Sequence, residues 1–79
     1  MRSTVILLNT IDKVKSFVSD VSKFDVDMEL VSGKYVVDAK SILGIFSLHL
    51  LRPMELQIYG DDVTSEEVLQ SIQNYVFVS

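Results

Sequence analysis

The stretch Lys40-Ser41-Ile42-Leu43-Gly44-Ile45-Phe46-Ser47-Leu48-His49-Leu50-Leu51 constrains this chain more than any other. It is apolar on nearly every side. It is also far short of the ~20 apolar residues that a membrane span needs. Ser41 stands where a helix N-cap would, so a helix of one or two turns is expected after it. A helix that is apolar all round carries more apolar surface than one core contact covers. Ile45, Leu48 and the Leu50-Leu51 end are expected to pack inward, and Ile42, Leu43 and Phe46 to look outward. An outward apolar patch beside a polar cap is a candidate docking site. A plainly buried helix with a capping serine fits the same residues.

At 79 residues, a single domain spanning 1–79 is expected. A domain of this size buries roughly 60–65% of its unfolded surface, enough for one modest core. The chain has no cysteine. Disulfides and cysteine-based metal sites are therefore excluded, and a reducing compartment is the natural fit. Met1-Arg2-Ser3 leads only into the short apolar run Val5 to Leu8, which does not make a secretory leader. The expectation is a soluble, cytoplasmic protein without a membrane anchor. The formal charge is −4, and the seven Lys and Arg residues are scattered. Nucleic-acid binding requires a basic footprint that this pattern does not supply.

Ser3 to Leu8 reads as a first strand. Four consecutive apolar residues suggest cover on both sides, and hence a central place in the sheet. Asn9 or Thr10 then caps a helix, with Asp12 three residues after Asn9 in a box-like arrangement. Ile11, Val14, Phe17, Val18 and Val21 form its apolar stripe. Val26 to Leu30 alternates as a half-buried strand with Asp27 and Glu29 outward. Ser32-Gly33 turns the chain into a partner strand, Lys34 to Asp38. Pro53 ends the central helical region. Met54, Leu56 and Ile58 then alternate with Glu55, Gln57 and Tyr59 as a fourth strand. After the Gly60-Asp61-Asp62 turn, Thr64 and Glu67 form a capping box for a last helix. Its inner stripe is Val68, Leu69, Ile72, Tyr75 and Val76. The order β-α-β-β-α-β-α implies an α+β open-faced β-sandwich. Its four-stranded, mostly antiparallel sheet has three helices on one face and a split βαβ core. The other face, with Asp27, Glu29, Glu55 and Gln57, is expected to be polar and wet.

Catalytic signals are poor, so no enzyme activity, cofactor or metal is expected. The three glycines, Gly33, Gly44 and Gly60, make no phosphate loop, and the single histidine, His49, cannot build a histidine-rich metal site. His49 suits the end of the short helix, where positive charge is favoured; a phosphate acceptor or general base is the alternative reading. Asp61-Asp62 suits a turn ahead of a helix and offers too few oxygens for calcium. Ser41 is the informative hydroxyl. A phosphate there would meet free N–H groups at a helix start. It would also place about two negative charges beside Ile42 and Leu43, which suits the switching of a docking patch.

The stretch Lys40 to Leu48, closed by Glu55-Leu56-Gln57-Ile58-Tyr59-Gly60, resembles the histidine-containing phosphocarrier protein (HPr) family of the bacterial sugar phosphotransferase system. That family carries lysine-serine-isoleucine-methionine-glycine, then a second methionine, serine and leucine. Ser22-Lys23-Phe24-Asp25 is similar to its serine-lysine-tyrosine-aspartate segment, and the resemblance covers nearly the whole chain. It implies that Ser41 is the regulatory serine, phosphorylated by a dedicated HPr kinase. It also implies that Ile42, Leu43 and Phe46, with Lys40, form a surface for that kinase or for a transcriptional regulator of catabolite repression.

The chain departs from the family where the family's chemistry lies. After the first strand, HPr carries a histidine that accepts phosphate from Enzyme I and an arginine that steadies it. Counted without gaps from Ser22-Lys23, Thr10 falls on the histidine, Asp12 on the arginine and Lys13 on a proline. Threonine cannot form a phosphoimidazole, and Asp12 would repel a phosphate. Pro53 stands where the family usually has glycine. The resemblance therefore implies an HPr-like regulatory, protein-binding domain with a degenerate phosphohistidine site. The catabolite-repression relative of HPr, which lacks the histidine and keeps the serine, sets a precedent. Two alternatives stay open: a structural, self-associating HPr-fold protein with both phosphorylations lost, and a phosphocarrier using His49. A monomer or weak homodimer is expected.

Overall fold

The computed structural model describes residues 1–78. Four strands, β1 (Arg2–Ile6), β2 (Asp27–Ser32), β3 (Tyr35–Asp38) and β4 (Met54–Tyr59), alternate with three helices, α1 (Ile11–Val21), α2 (Ile42–Phe46) and α3 (Asp62–Ser71). A 3₁₀ turn follows at Gln73–Tyr75. The sheet order is β1-β4-β2-β3, and all three pairings are antiparallel. β1 and β2 thus run parallel with β4 between them, which is the split βαβ arrangement. Helical crossovers from β1 to β2 and from β3 to β4 leave the helices on one face of an open sheet.

Period-2 alternation selects the buried face. Met28 and Leu30 of β2 and Met54, Leu56 and Ile58 of β4 are buried beneath the helices. Cross-strand register sets Ile6 against Met54 and Met28 against Ile58. Val14, Phe17, Val18 and Val21 of α1 close the core from above. The edge of one Phe17 or Tyr75 ring meets the face of the other, with centroids 5.5 Å apart, a favourable aromatic geometry. The hairpin between β2 and β3 closes through Gly33, whose φ of 61° is the left-handed conformation that two-residue loops use. On the open face, the Tyr59 hydroxyl lies 2.7 Å from Glu29 Oε1 and 2.6 Å from Gln57 Oε1. Gln57 Nε2 in turn donates to Glu55 Oε1 at 2.9 Å. Donation to Glu29, more than any other influence, holds the Tyr59 pKa above the ordinary value.

Several expectations are corrected. β1 is an edge strand rather than a central one, and Val5 is exposed. Its apolar run is covered from the side by the C-terminal segment: Leu7 N donates to the Tyr75 carbonyl, Phe77 N donates to the Val5 carbonyl, and Ile6 bridges Val76. Tyr75 and Val76 accordingly lie beyond α3, in the 3₁₀ turn and the bridge, not on its stripe. Alternation within a strand cannot reveal cover that comes from the far end of the chain. α3 begins two residues before Thr64, capped by Asp61, whose carboxylate accepts from Thr64 N at 2.7 Å. The nearer aspartate takes the role assigned to the Thr64–Glu67 box. Ile11 is exposed, because Val14, Phe17, Val18 and Val21 complete the buried stripe without it. Leu51 is also exposed, since it lies in the turn past α2 rather than on the helix.

Candidate functional site

The segment leading into α2 is fixed by the end of β3. Ala39 N donates to the Met28 carbonyl, Lys40 N to Asp38 Oδ1 at 2.9 Å, and Ser41 N to the Asp38 carbonyl at 3.1 Å. The Lys40 ammonium donates to the Phe24 carbonyl at 2.6 Å. Lys40 therefore ties the segment before α2 to the loop after α1, a structural bond beside the partner contact expected of it.

Ser41 sits in extended conformation, φ −102° and ψ 107°, as an N-cap requires. Its Oγ accepts from Gly44 N at 3.1 Å, and its carbonyl accepts from Ile45 N at 3.0 Å. Gly44 leaves room for this cap: a Cβ there would lie 3.1 Å from Ser41 Oγ and 3.4 Å from Val37 Cβ. Ser41 itself is half-buried. The helix divides by face. Ile45 is fully buried, whereas Leu43 is 83% exposed and Ile42 and Phe46 are 38% and 37% exposed. Ordinary core packing does not use Leu43, so the cap hydroxyl lies next to an outward leucine.

Thr10 is the N-cap of α1, and its Oγ1 accepts from Lys13 N at 3.1 Å. Asn9, the other candidate for this role, is not the cap. Asp12 lies exposed in the first turn, where a carboxylate complements the helix start. Residues 9–13 thus bring a hydroxyl, a carboxylate and the Lys13 ammonium to the start of α1, and that stretch holds no histidine and no arginine. Ile11, at 60% exposure, is the outward apolar residue at this end that periodicity assigned to the core. Its place ahead of an already complete stripe is the signal that marks it.

His49 is exposed in the loop after α2. It shares a cavity with Lys34, Tyr35, Arg52 and Pro53, a convergence that sequence distance concealed. No group of three or more metal-ligating side chains occurs among the described residues. None of the helices described is long and apolar enough to cross a membrane.

Residues 13–77 match the family model described as "PTS HPr component phosphorylation site". The chain belongs to the HPr family. The match begins at Lys13, immediately after the start of α1 that carries Thr10 and Asp12. HPr-C-His from Thermoanaerobacter tengcongensis superposes with a TM-score of 0.78 at 27% identity, covering 94% of this chain and 89% of that one. The phosphocarrier protein HPr from Bacillus anthracis superposes with a TM-score of 0.73 at 23% identity, covering 96% of each chain. The catabolite repression containing protein Crh of Bacillus subtilis, a domain-swapped intertwined dimer in its crystal, gives 0.64 at 25% identity. That match covers 92% of this chain and 88% of Crh. The open-faced α+β sandwich is therefore the fold of HPr and of Crh alike.

Proposed function

We propose that this chain is a regulatory, protein-binding member of the HPr family, controlled at Ser41 and without phosphocarrier chemistry at the start of α1. The observation that carries this reading is the pairing of a half-buried cap hydroxyl, Ser41, with the outward side chain of Leu43 on one short helix. The surface comprises Ile42, Leu43 and Phe46, with Lys40 beside it. By family resemblance its partners are an HPr kinase and a transcriptional regulator, in a bacterial cytoplasm. A phosphate on Ser41 would add about two negative charges to the edge of that apolar surface, changing which partner it accepts. Thr10 and Asp12 are the degenerate remnant of the phosphohistidine site. A hydroxyl that already accepts the Lys13 amide, next to a carboxylate, offers an incoming phosphoryl group neither the imidazole that would carry it nor the arginine that would steady it.

Treatment with an HPr kinase and ATP, followed by peptide mapping in a mass spectrometer, tests the switch. One phosphate on Ser41, absent in Ser41→Ala, is the expected result. A chain left unmodified, or modified only at another hydroxyl, contradicts it.

A further inference from the structure

Two cavities among the described residues carry several carboxylates each: Asp27, Glu29 and Asp38 with Lys40 in one, Asp62, Glu66 and Glu67 with Arg2 in another. A third, of about 650 Å³, lies between the β2–β3 turn and the loop after α2, and no carboxylate of the described residues lines it. Lys34, His49 and Arg52 do, with Tyr35, Ser47 and Pro53 beside them. The chain has eleven acidic residues, seven Lys and Arg, and one His. The gathering of three nitrogen-bearing side chains where acid is excluded therefore runs against the charge of the whole molecule. The ion pairs among the described residues are Arg2–Glu66 and Lys23–Asp20, and neither Lys34 nor Arg52 pairs with a carboxylate of those residues.

The backbone brings these groups together. Gly33, with its positive φ, turns the hairpin and sets Lys34 at the rim. Arg52 N donates to the His49 carbonyl at 3.2 Å, which folds the loop and brings both side chains to the same cavity. Pro53 then fixes where the chain enters β4.

We infer that this cavity is a binding site for a phosphomonoester. Arg52, Lys34 and His49 bring a guanidinium fork, an ammonium and an imidazole to one cavity. A tetrahedral dianion can accept from all three through separate oxygens, and Arg in particular suits paired contacts to phosphate. The cavity leaves room for an organic body against Leu48 and Pro53. The site is separate from Ser41 and does not rest on its phosphorylation.

Amide chemical-shift titrations of the ¹⁵N-labelled protein with inorganic phosphate and with glycerol 3-phosphate test the site; glycerol serves as the uncharged control and a tetraglutamate peptide as the acidic competitor. Saturable shifts at Lys34, His49 and Arg52 are expected with both phosphates, and none with glycerol. Tighter binding of glycerol 3-phosphate assigns the site to an organic phosphate, and equal binding assigns it to the free anion. The Lys34→Ala/Arg52→Ala variant should weaken binding by about tenfold or more with an unchanged melting temperature, and Ser41→Ala should bind as the wild type does. Shifts that never saturate, affinity unchanged in the double variant, or tighter binding of the peptide than of glycerol 3-phosphate would overturn the assignment.

Discussion

Three side chains in this protein do the same job at three helix starts. Thr10 Oγ1, Ser41 Oγ and Asp61 Oδ1 each accept the amide of the residue three positions on, at 3.1, 3.1 and 2.7 Å. A hydroxyl cap such as Thr10 or Ser41 is worth about 1 kcal/mol in general. Asp61 differs in being ionisable. The Thr64 amide bond, above all, holds its carboxyl below the ordinary value of 3.8. A carboxyl with a depressed folded-state pKa stabilises the fold above its unfolded value. That contribution is lost as pH falls through the folded value. Asp61→Asn keeps the capping oxygen and removes the titration. Melting curves of this variant are therefore expected to depend less steeply on pH below about 4 than those of the wild type, and identical acid profiles would contradict the cap's role. At this scale the sequence was only partly legible. Ser41 could be read as a cap because an apolar run follows it directly. Asp61 is hidden as a cap because Thr64 and Glu67 make a well-formed box three residues later, and spacing alone does not say which of two competing caps the chain uses.

At the scale of elements, α2 matters most, since one short helix must serve both the core and the surface. Ile45 is fully buried and Leu43 largely exposed, two positions apart. Leu43→Asp should therefore change stability by no more than about half a kcal/mol. Ile45→Asp buries an unpaired carboxylate and should unfold so small a domain. Circular dichroism melts of the two variants decide it: the first is expected to melt near the wild-type temperature and the second to show no cooperative transition. Equal collapse of both would mean that the helix is simply core. The division into Ile45, and Leu48 just past the helix, inward against Ile42, Leu43 and Phe46 outward was visible in the sequence because Ser41 fixes where the helix starts. The fate of Leu51 was not, because the turn after α2 breaks the helical phase. β1 shows the complementary limit: its four apolar residues signalled cover, but not that the cover is the Tyr75–Phe77 segment reaching back from the other end of the chain.

At the scale of the whole molecule, the order of elements and the period-2 faces of β2 and β4 were enough to expect the open-faced sandwich that HPr and Crh share with this chain. What sequence order hides is proximity. Lys34 and Arg52 are far apart along the chain, yet the hairpin turn and the loop after α2 bring them to one cavity with His49. The central claim is that the HPr fold persists here without a phosphoryl-carrying imidazole. Incubation with Enzyme I and labelled phosphoenolpyruvate, followed by quantification of acid-labile label on the protein, tests it most directly. Thr10 at the cap of α1 and Asp12 beside it predict no label above background. Stoichiometric acid-labile label that disappears in His49→Ala would contradict the account and make His49, with Arg52 beside it, the carrier.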